Sequence, residues 1–197
     1  TTWGIRARKA VNRPCWAGDS ESPNTTILTA VFDASFRDFR PTTTARWFAY
    51  LRSLKSIEGF EYLNTSQVTD MKGMFEGCRS LRTLDLSSFD TSEVWSMSCM
   101  FWGCISLTAL DLSNFDTYEV TNTEGMFYWC KSLTTLDISH FATYEEVMWM
   151  SEMFSGCSSL TTIYCNSSWC CRHSDDMFTG CDSLKGAMAY DEGYWYD

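Results

Sequence analysis

The side chains best suited to metal binding or nucleophilic chemistry lie together near the C-terminal end of the chain. They are Cys165, Cys170, Cys171, His173 and Asp175. Thiolates and imidazoles bind zinc, and a cysteine beside a histidine can act as a nucleophile. Their spacing matches no standard zinc motif, and disulfides among these cysteines or with Cys15, or free thiols, are alternatives. We therefore keep a metal or thiol site at 165 to 175 only as the weakest hypothesis.

A second set of reactive groups consists of aspartates at equivalent positions of a repeated segment. Asp85, Asp111 and Asp137 are expected to stack on one another, with like charges about 4.8 Å apart. Either a cation such as calcium neutralises them, or neighbouring Ser and Thr donate hydrogen bonds to them. A single column of carboxylates is a poor calcium site, so we expect the second arrangement. We assign no metal, no cofactor and no catalytic residue, and we interpret His140 as a solvated turn residue.

Large aromatic residues recur at sequence positions where a solvated surface needs only polar side chains. Aromatic rings mixed with Ser, Asn and Gly are typical of recognition surfaces. The pattern therefore predicts binding of a ligand and no reaction. The predicted ligand-binding residues are Trp95, Ser96, Ser98, Cys99, Trp102, Tyr118, Asn122, Glu124, Tyr128, Trp129, Tyr144, Trp149 and Trp169.

These side chains are positioned by an internal repeat. A Met-Phe pair recurs with its phenylalanine at Phe75, Phe101, Phe127, Phe154 and Phe178. A fixed period of this length is typical of stacked supersecondary units, which bury their apolar faces against neighbouring units. The segment from Leu84 to Leu110 is one complete unit of the repeat.

Each unit is predicted to contain one strand and one helix. Leu84 and Leu86 flank Asp85, as in a short strand with one buried face, and apolar residues then recur three and four apart from Val94 to Cys104. Thr91 or Ser92 is a candidate N-cap, and Gly103 is a candidate left-handed C-terminal residue. The predicted fold class is an α/β leucine-rich-repeat solenoid, with short parallel strands on one side and short helices on the other.

The repeat also sets the predicted organisation of the chain. Residues 1–62 form an irregular segment plus a degenerate capping repeat, with a strand at 27–32 and a helix at 42–51. Residues 63–186 hold about five leucine-rich repeats, and 187–197 form a C-terminal tail. One cysteine per repeat is expected to be a small buried residue of the core. These residues are Cys78, Cys104, Cys130, Cys157 and Cys181.

Composition excludes several classes of partner. The 197 residues carry a formal net charge of −10, which disfavours nucleic acids and anionic membranes. No apolar run approaches the roughly 20 residues of a membrane-spanning helix, so we expect no membrane insertion. Because the chain begins at Thr1 and not at Met, we expect a processed precursor or a trimmed chain.

Several phrases of the repeat carry a family resemblance. NTSQVTDMKGMFEGCRSL and LDLSSFDTSEV, with IEGFEYLNTS before them, resemble the BspA-type leucine-rich-repeat surface proteins of host-associated bacteria. The similarity covers roughly Ile27 to Gly186. It implies a secreted or surface-anchored protein with a role in adhesion or partner binding, and it supplies no catalytic residues. The sequence departs from the family pattern at several helix positions and after Lys185.

We interpret the chain as an extracellular or cell-surface binding module. Its expected ligand is a protein or a glycan on another cell or a host, recognised by a monomer through aromatic residues of the helix face. The variation of outward residues between repeats also suggests diversification, either by selection or by a dedicated mutational mechanism. The main alternative is a structural surface spacer that has no specific partner and whose uniform Asp and Thr positions matter most.

Overall fold

The computed structural model describes residues 14–142, 149–165 and 173–185. Four short strands occur in these ranges, β1 (Thr29–Val31), β2 (Ser56–Glu58), β3 (Thr135–Asp137) and β4 (Thr162–Tyr164), with 3-10 helices at Ala34–Phe36 and Phe60–Tyr62. β1 pairs with β2 and β3 with β4, both in parallel. The strand predicted at 27–32 is therefore confirmed as β1.

The predicted fold class is wrong. The described residues contain no α-helix, and most of them form turns and irregular structure, so the chain is not an α/β leucine-rich-repeat solenoid. The helix predicted at 42–51 is absent, and so is the helix predicted from Val94 to Cys104. Thr91 caps no helix, because its hydroxyl donates to the carbonyl of Asp116 (2.8 Å). Within the described ranges, no helix is long and apolar enough to cross a membrane.

Consecutive tight turns replace the predicted helix. Within 97–104, alternate N–H groups donate to the carbonyl three residues back at 3.0 to 3.1 Å. The N–H groups between them donate to the next repeat, for example from Cys99 to the carbonyl of Glu124 (2.8 Å). An α-helix would direct every N–H to the residue four positions back. Within 97–104, half of the backbone N–H groups therefore join this repeat to the next one.

Two residues per repeat adopt the left-handed conformation, which a helix cannot contain. In the unit from Leu84 to Leu110 they are Cys99 (φ 56°) and Gly103 (φ 69°). The equivalent first positions, called the first left-handed column, are Arg46, Gly73, Cys99, Gly125, Glu152 and Asp176. The second left-handed column is Tyr50, Gly77, Gly103, Trp129, Gly156 and Gly180. Apolar spacing alone resembled a helix because successive turns also direct every third or fourth side chain inward.

A ladder of phenylalanines forms the centre of the core. The rings lie nearly parallel, with centroids 5.5 to 5.6 Å apart and interplanar angles of 1° to 7°. The members are Phe48, Phe75, Phe101, Phe127, Phe154 and Phe178. Phe48 of the degenerate capping repeat therefore has the same place in the core as Phe75. Trp16 joins this end of the core, where its indole N–H donates to the carbonyl of Trp47 (2.7 Å).

The predicted cysteine column is confirmed as a set of free thiols along the core, four buried and the last half-buried. Each thiol donates a hydrogen bond to a phenylalanine carbonyl of the preceding repeat, as Cys104 does to Phe75 (3.2 Å). The same bond runs from Cys78 to Phe48 and from Cys130 to Phe101. Burial raises the pKa of Cys104 to about 12. These thiols therefore act as small packed groups and weak donors.

Asp85, Asp111 and Asp137 each accept hydrogen bonds from the serine two residues later. A carboxylate oxygen of Asp85 accepts bonds from the N–H (3.0 Å) and hydroxyl (2.7 Å) of Ser87. Asp111 and Asp137 accept the same backbone bond at 2.9 Å. These bonds lower the pKa of all three carboxyl groups. The prediction that serine donors satisfy them is confirmed.

Candidate recognition surface

The left-handed columns lie on the side of the repeats where the sequence places aromatic residues. Four large aromatic side chains of the predicted set are exposed: Trp95, Tyr118, Trp129 and Trp149. Trp102 and Tyr128 are half-buried. We call the surface formed by Trp95, Trp102, Tyr128, Trp129 and Trp149 the aromatic face.

Three of these rings form one cluster across two repeats. Trp102 stacks on Tyr128 with centroids 4.0 Å apart, and Tyr128 lies 5.4 Å from Trp129. The Nζ of Lys131 lies 5.0 Å from the Trp129 ring centroid, a cation–π contact. The cluster is therefore a partly exposed group of three stacked rings, and the ammonium group of Lys131 lies over one of them.

Glycines in the following repeat make room for these rings. A Cβ atom on Gly125 would lie 2.8 Å from the Trp102 ring. A Cβ atom on Gly156 would lie 2.0 Å from Cδ1 of Trp129. Each ring therefore lies against the bare backbone of its neighbour, which fixes its position.

Trp129 occupies the second left-handed column with φ 58°, where four of the six positions are glycine. A left-handed conformation costs a non-glycine residue roughly 1 to 2 kcal/mol. Trp129 therefore replaces, at an energetic cost, the glycine that most repeats have at this position. Trp129 is 45% exposed, and burial of the rest of its ring offsets about that cost.

A second aromatic pair lies toward the C-terminal end of the face. Trp149 stacks on His173 with centroids 4.3 Å apart and an interplanar angle of 9°. The two residues are also partners in a parallel β-bridge, and Trp149 bridges to Asn122 in the preceding repeat. Asn122, Trp149 and His173 therefore occupy equivalent positions of successive repeats.

The remaining predicted site residues divide by exposure. Glu124 is exposed, while Asn122 and Cys99 are half-buried. Ser96 and Ser98 are buried, with their hydroxyl oxygens 3.3 Å apart, so the expectation that they lie on the outer surface is wrong. The equivalent residues Asn122 and Glu124 are half-buried and exposed, so burial at these positions differs between repeats. Burial and, to a smaller extent, the Glu76 carboxylate raise the pKa of Cys99 to about 11.

Two predicted residues, Tyr144 and Trp169, lie outside the described residues. So do Cys170 and Cys171 of the weakest hypothesis. Cys165 is exposed, and the His173 ring is stacked on Trp149. Among the described residues, no three His, Cys, Asp or Glu side chains converge on a metal position.

A polar network that the sequence did not predict lies at the N-terminal end of this surface. The Tyr50 hydroxyl donates to Oε1 of Glu76, and Nε of Arg46 lies 3.6 Å from Oε2 of the same carboxylate. Burial and the hydrogen bond to Glu76 raise the pKa of Tyr50 to about 12. Tyr50 and Arg46 both belong to left-handed columns. The available signal was a tyrosine in a column otherwise occupied mainly by glycine.

A comparison with protein families identifies the repeats. The model of the family described as "Mycoplasma protein of unknown function, DUF285" matches residues 42–169, well over half of the chain. The chain belongs to the DUF285 family. This family is related to the BspA-like surface repeat proteins, so the resemblance seen in the sequence holds at that coarser level. Among curated proteins and solved structures, none is significantly similar to this DUF285 chain.

Proposed function

We propose that this DUF285 chain is a binding module of BspA-like type that acts at the cell surface or outside the cell. Its aromatic face recognises a protein or a glycan, and it catalyses no reaction. The uniform inner residues hold the face in place, while the outward residues determine the ligand.

One observation carries this proposal: the left-handed conformation of Trp129. Gly103 and Gly156 occupy the same position in the two adjacent repeats, so the fold does not need a tryptophan there. A strained, bulky and nearly half-exposed residue whose net contribution to folding is small is evidence for a functional role. The neighbouring stack of Trp102 on Tyr128 supplies rigid contact area of the kind found at interface hot spots.

The spacer alternative gives the Asp and Thr positions the main role. The structure accounts for Asp85, Asp111 and Asp137 locally, since each binds the serine two residues later. A spacer without a partner would have no need for the exposed tryptophans of the aromatic face. The spacer alternative therefore has less support.

The test is differential capture by immobilised protein. Protein extracts and a glycan array are presented to the wild type and to a variant with Trp95, Trp102, Trp129 and Trp149 replaced by Ser. Circular dichroism and urea unfolding first verify that both are folded. We expect a defined partner that the wild type captures and the variant loses.

The matched control is Tyr164→Ser. Tyr164 is 57% exposed and belongs to β4, outside the aromatic face. We expect this variant to capture the partner as the wild type does. Equal capture by all three proteins would rule out the aromatic face as the binding surface.

A further inference from the structure

The charged residues beside the aromatic face are positive toward its N-terminal end and negative toward its C-terminal end. Arg46 and Lys72 lie in the two N-terminal repeats, and Arg46 faces the Glu76 carboxylate. Toward the C-terminal end, Glu124, Glu152 and Asp175 replace these cations. The surface that contains Trp129 and Trp149 is therefore acidic, in agreement with the net charge of −10 of the whole chain.

The three carboxylates lie on adjacent rungs of the backbone ladder. The N–H of Gly125, next to Glu124, donates to Ser151 (2.9 Å), and the N–H of Glu152 donates to Asp175 (2.8 Å). Within the described ranges, none of the three forms an ion pair with a Lys or Arg. Asp175 lies two residues after His173, whose ring stacks on one face of Trp149. Acidic and aromatic groups thus share one surface.

Lys131 already shows how a cation binds to this surface, since its Nζ lies 5.0 Å from the centre of the Trp129 ring. A second ammonium or guanidinium group could make the same contact with the exposed Trp149 and pair with a neighbouring carboxylate. Anionic and neutral ligands would leave these carboxylates unmatched or would be repelled.

We propose that the partner of the aromatic face is a protein that presents a segment rich in Lys and Arg. The segment lies over the C-terminal half of the face, across Glu124, Trp149, Glu152 and Asp175. This inference rests on the proposed function and specifies the chemistry of its ligand. A neutral glycan is the alternative that the test must separate.

The probes are three fluorescein-labelled peptides: repeated Lys-Gly-Ser triplets, and the same peptide with Gln or with Glu in place of Lys. Fluorescence anisotropy with the full chain measures Kd at low and at physiological salt. We expect the Lys peptide to bind more tightly than the Gln peptide, the Glu peptide not to bind, and affinity to fall as salt rises.

Two matched triple variants separate a local effect from net charge. E124Q/E152Q/D175N neutralises three carboxylates beside the aromatic face, of which Glu152 is half-buried, and D38N/E58Q/E61Q removes three exposed carboxylates elsewhere. We expect the first variant to raise the Kd of the Lys peptide about fivefold, because three screened surface contacts are lost. The second variant should raise this Kd less than about twofold. Equal effects of both variants, or equal binding of the Lys and Gln peptides, would overturn the inference.

The same variants distinguish this inference from the proposed function. A partner lost by the tryptophan variant but retained by E124Q/E152Q/D175N would leave the aromatic face as the binding surface and exclude a basic ligand. A partner retained by both would contradict the proposed function itself.

Discussion

Phe101 and Trp102 are neighbours in the chain, yet they follow different rules. Phe101 belongs to a ladder with the same residue in every repeat and is fully buried. Trp102 points the other way, and the equivalent positions hold Glu76, Tyr128 and Ser155. The inner position is fixed by packing, whereas the outer position is free to vary. Variation between repeats therefore marks the surface to which we assign recognition in the proposed function.

The largest expected effect comes from breaking the inner side. Phe101→Ala removes one rung of the ladder and leaves a cavity, so we expect a loss of about 3 to 5 kcal/mol in the free energy of unfolding. Trp102→Ala should cost less than half as much, because its ring is half-buried. Urea unfolding followed by circular dichroism measures both values. Equal losses would mean that inner and outer positions contribute alike.

The buried thiols predict a specific dependence on pH. Burial raises the pKa of Cys104 and Cys157 from an ordinary value of 9.0 to about 12. The folded state thus keeps protons that the unfolded chain releases. Their contribution is complete below pH 9.0 and is lost as pH rises toward 12, at up to about 1.4 kcal/mol per thiol per pH unit.

The measurement is the free energy of unfolding as a function of pH, for the wild type and for C104A/C157A. The double variant should be less stable at neutral pH, since two small cavities remain, but its stability should fall less steeply above pH 9.0. Parallel slopes for the two proteins would exclude the thiols as the cause.

Most of the core could be predicted from the sequence, but the backbone that carries it could not. The period, the inward phenylalanines and leucines and the cysteine column were predictable, because core positions must repeat when units stack. Leu81, Leu107, Leu133 and Leu160 are all fully buried. The turns that replace the predicted helix were not predictable from this pattern, since spacing of three and four residues fits both a helix and a series of turns that points the same side chains inward.

The left-handed residues were partly visible in the sequence. Gly103 was expected to be left-handed, because glycine recurs at that position. Cys99 gave no such signal, since the first left-handed column holds glycine in only two of its six positions. The burial of Ser96 and Ser98 gave no signal either, since the equivalent positions of the next repeat hold Asn122 and Glu124.

A smaller effect distinguishes two glycines of the second left-handed column. Gly103 faces only the Gly77 backbone, 3.8 Å from where a Cβ would lie, whereas a Cβ on Gly156 would clash with Trp129. Gly103→Ala should cost about 1 kcal/mol from backbone conformation alone. Gly156→Ala should cost roughly 1 to 2 kcal/mol more because of the overpacked contact.

A double-mutant cycle in urea unfolding isolates the clash. The additional cost of Gly156→Ala should disappear when Trp129 is also replaced by Gly, while the cost of Gly103→Ala stays the same. An additional cost that persists without the Trp129 ring would show that the ring does not lie on Gly156.

The smallest expected change in stability belongs to Trp129→Gly, and this variant tests the central claim most directly. Loss of ring contacts and relief of the left-handed backbone should nearly cancel, which leaves the free energy of unfolding within about 1 kcal/mol of the wild type. Capture of the partner should be lost in the same protein. A folded Trp129→Gly variant that captures the partner as well as the wild type does would contradict the assignment of the aromatic face to recognition.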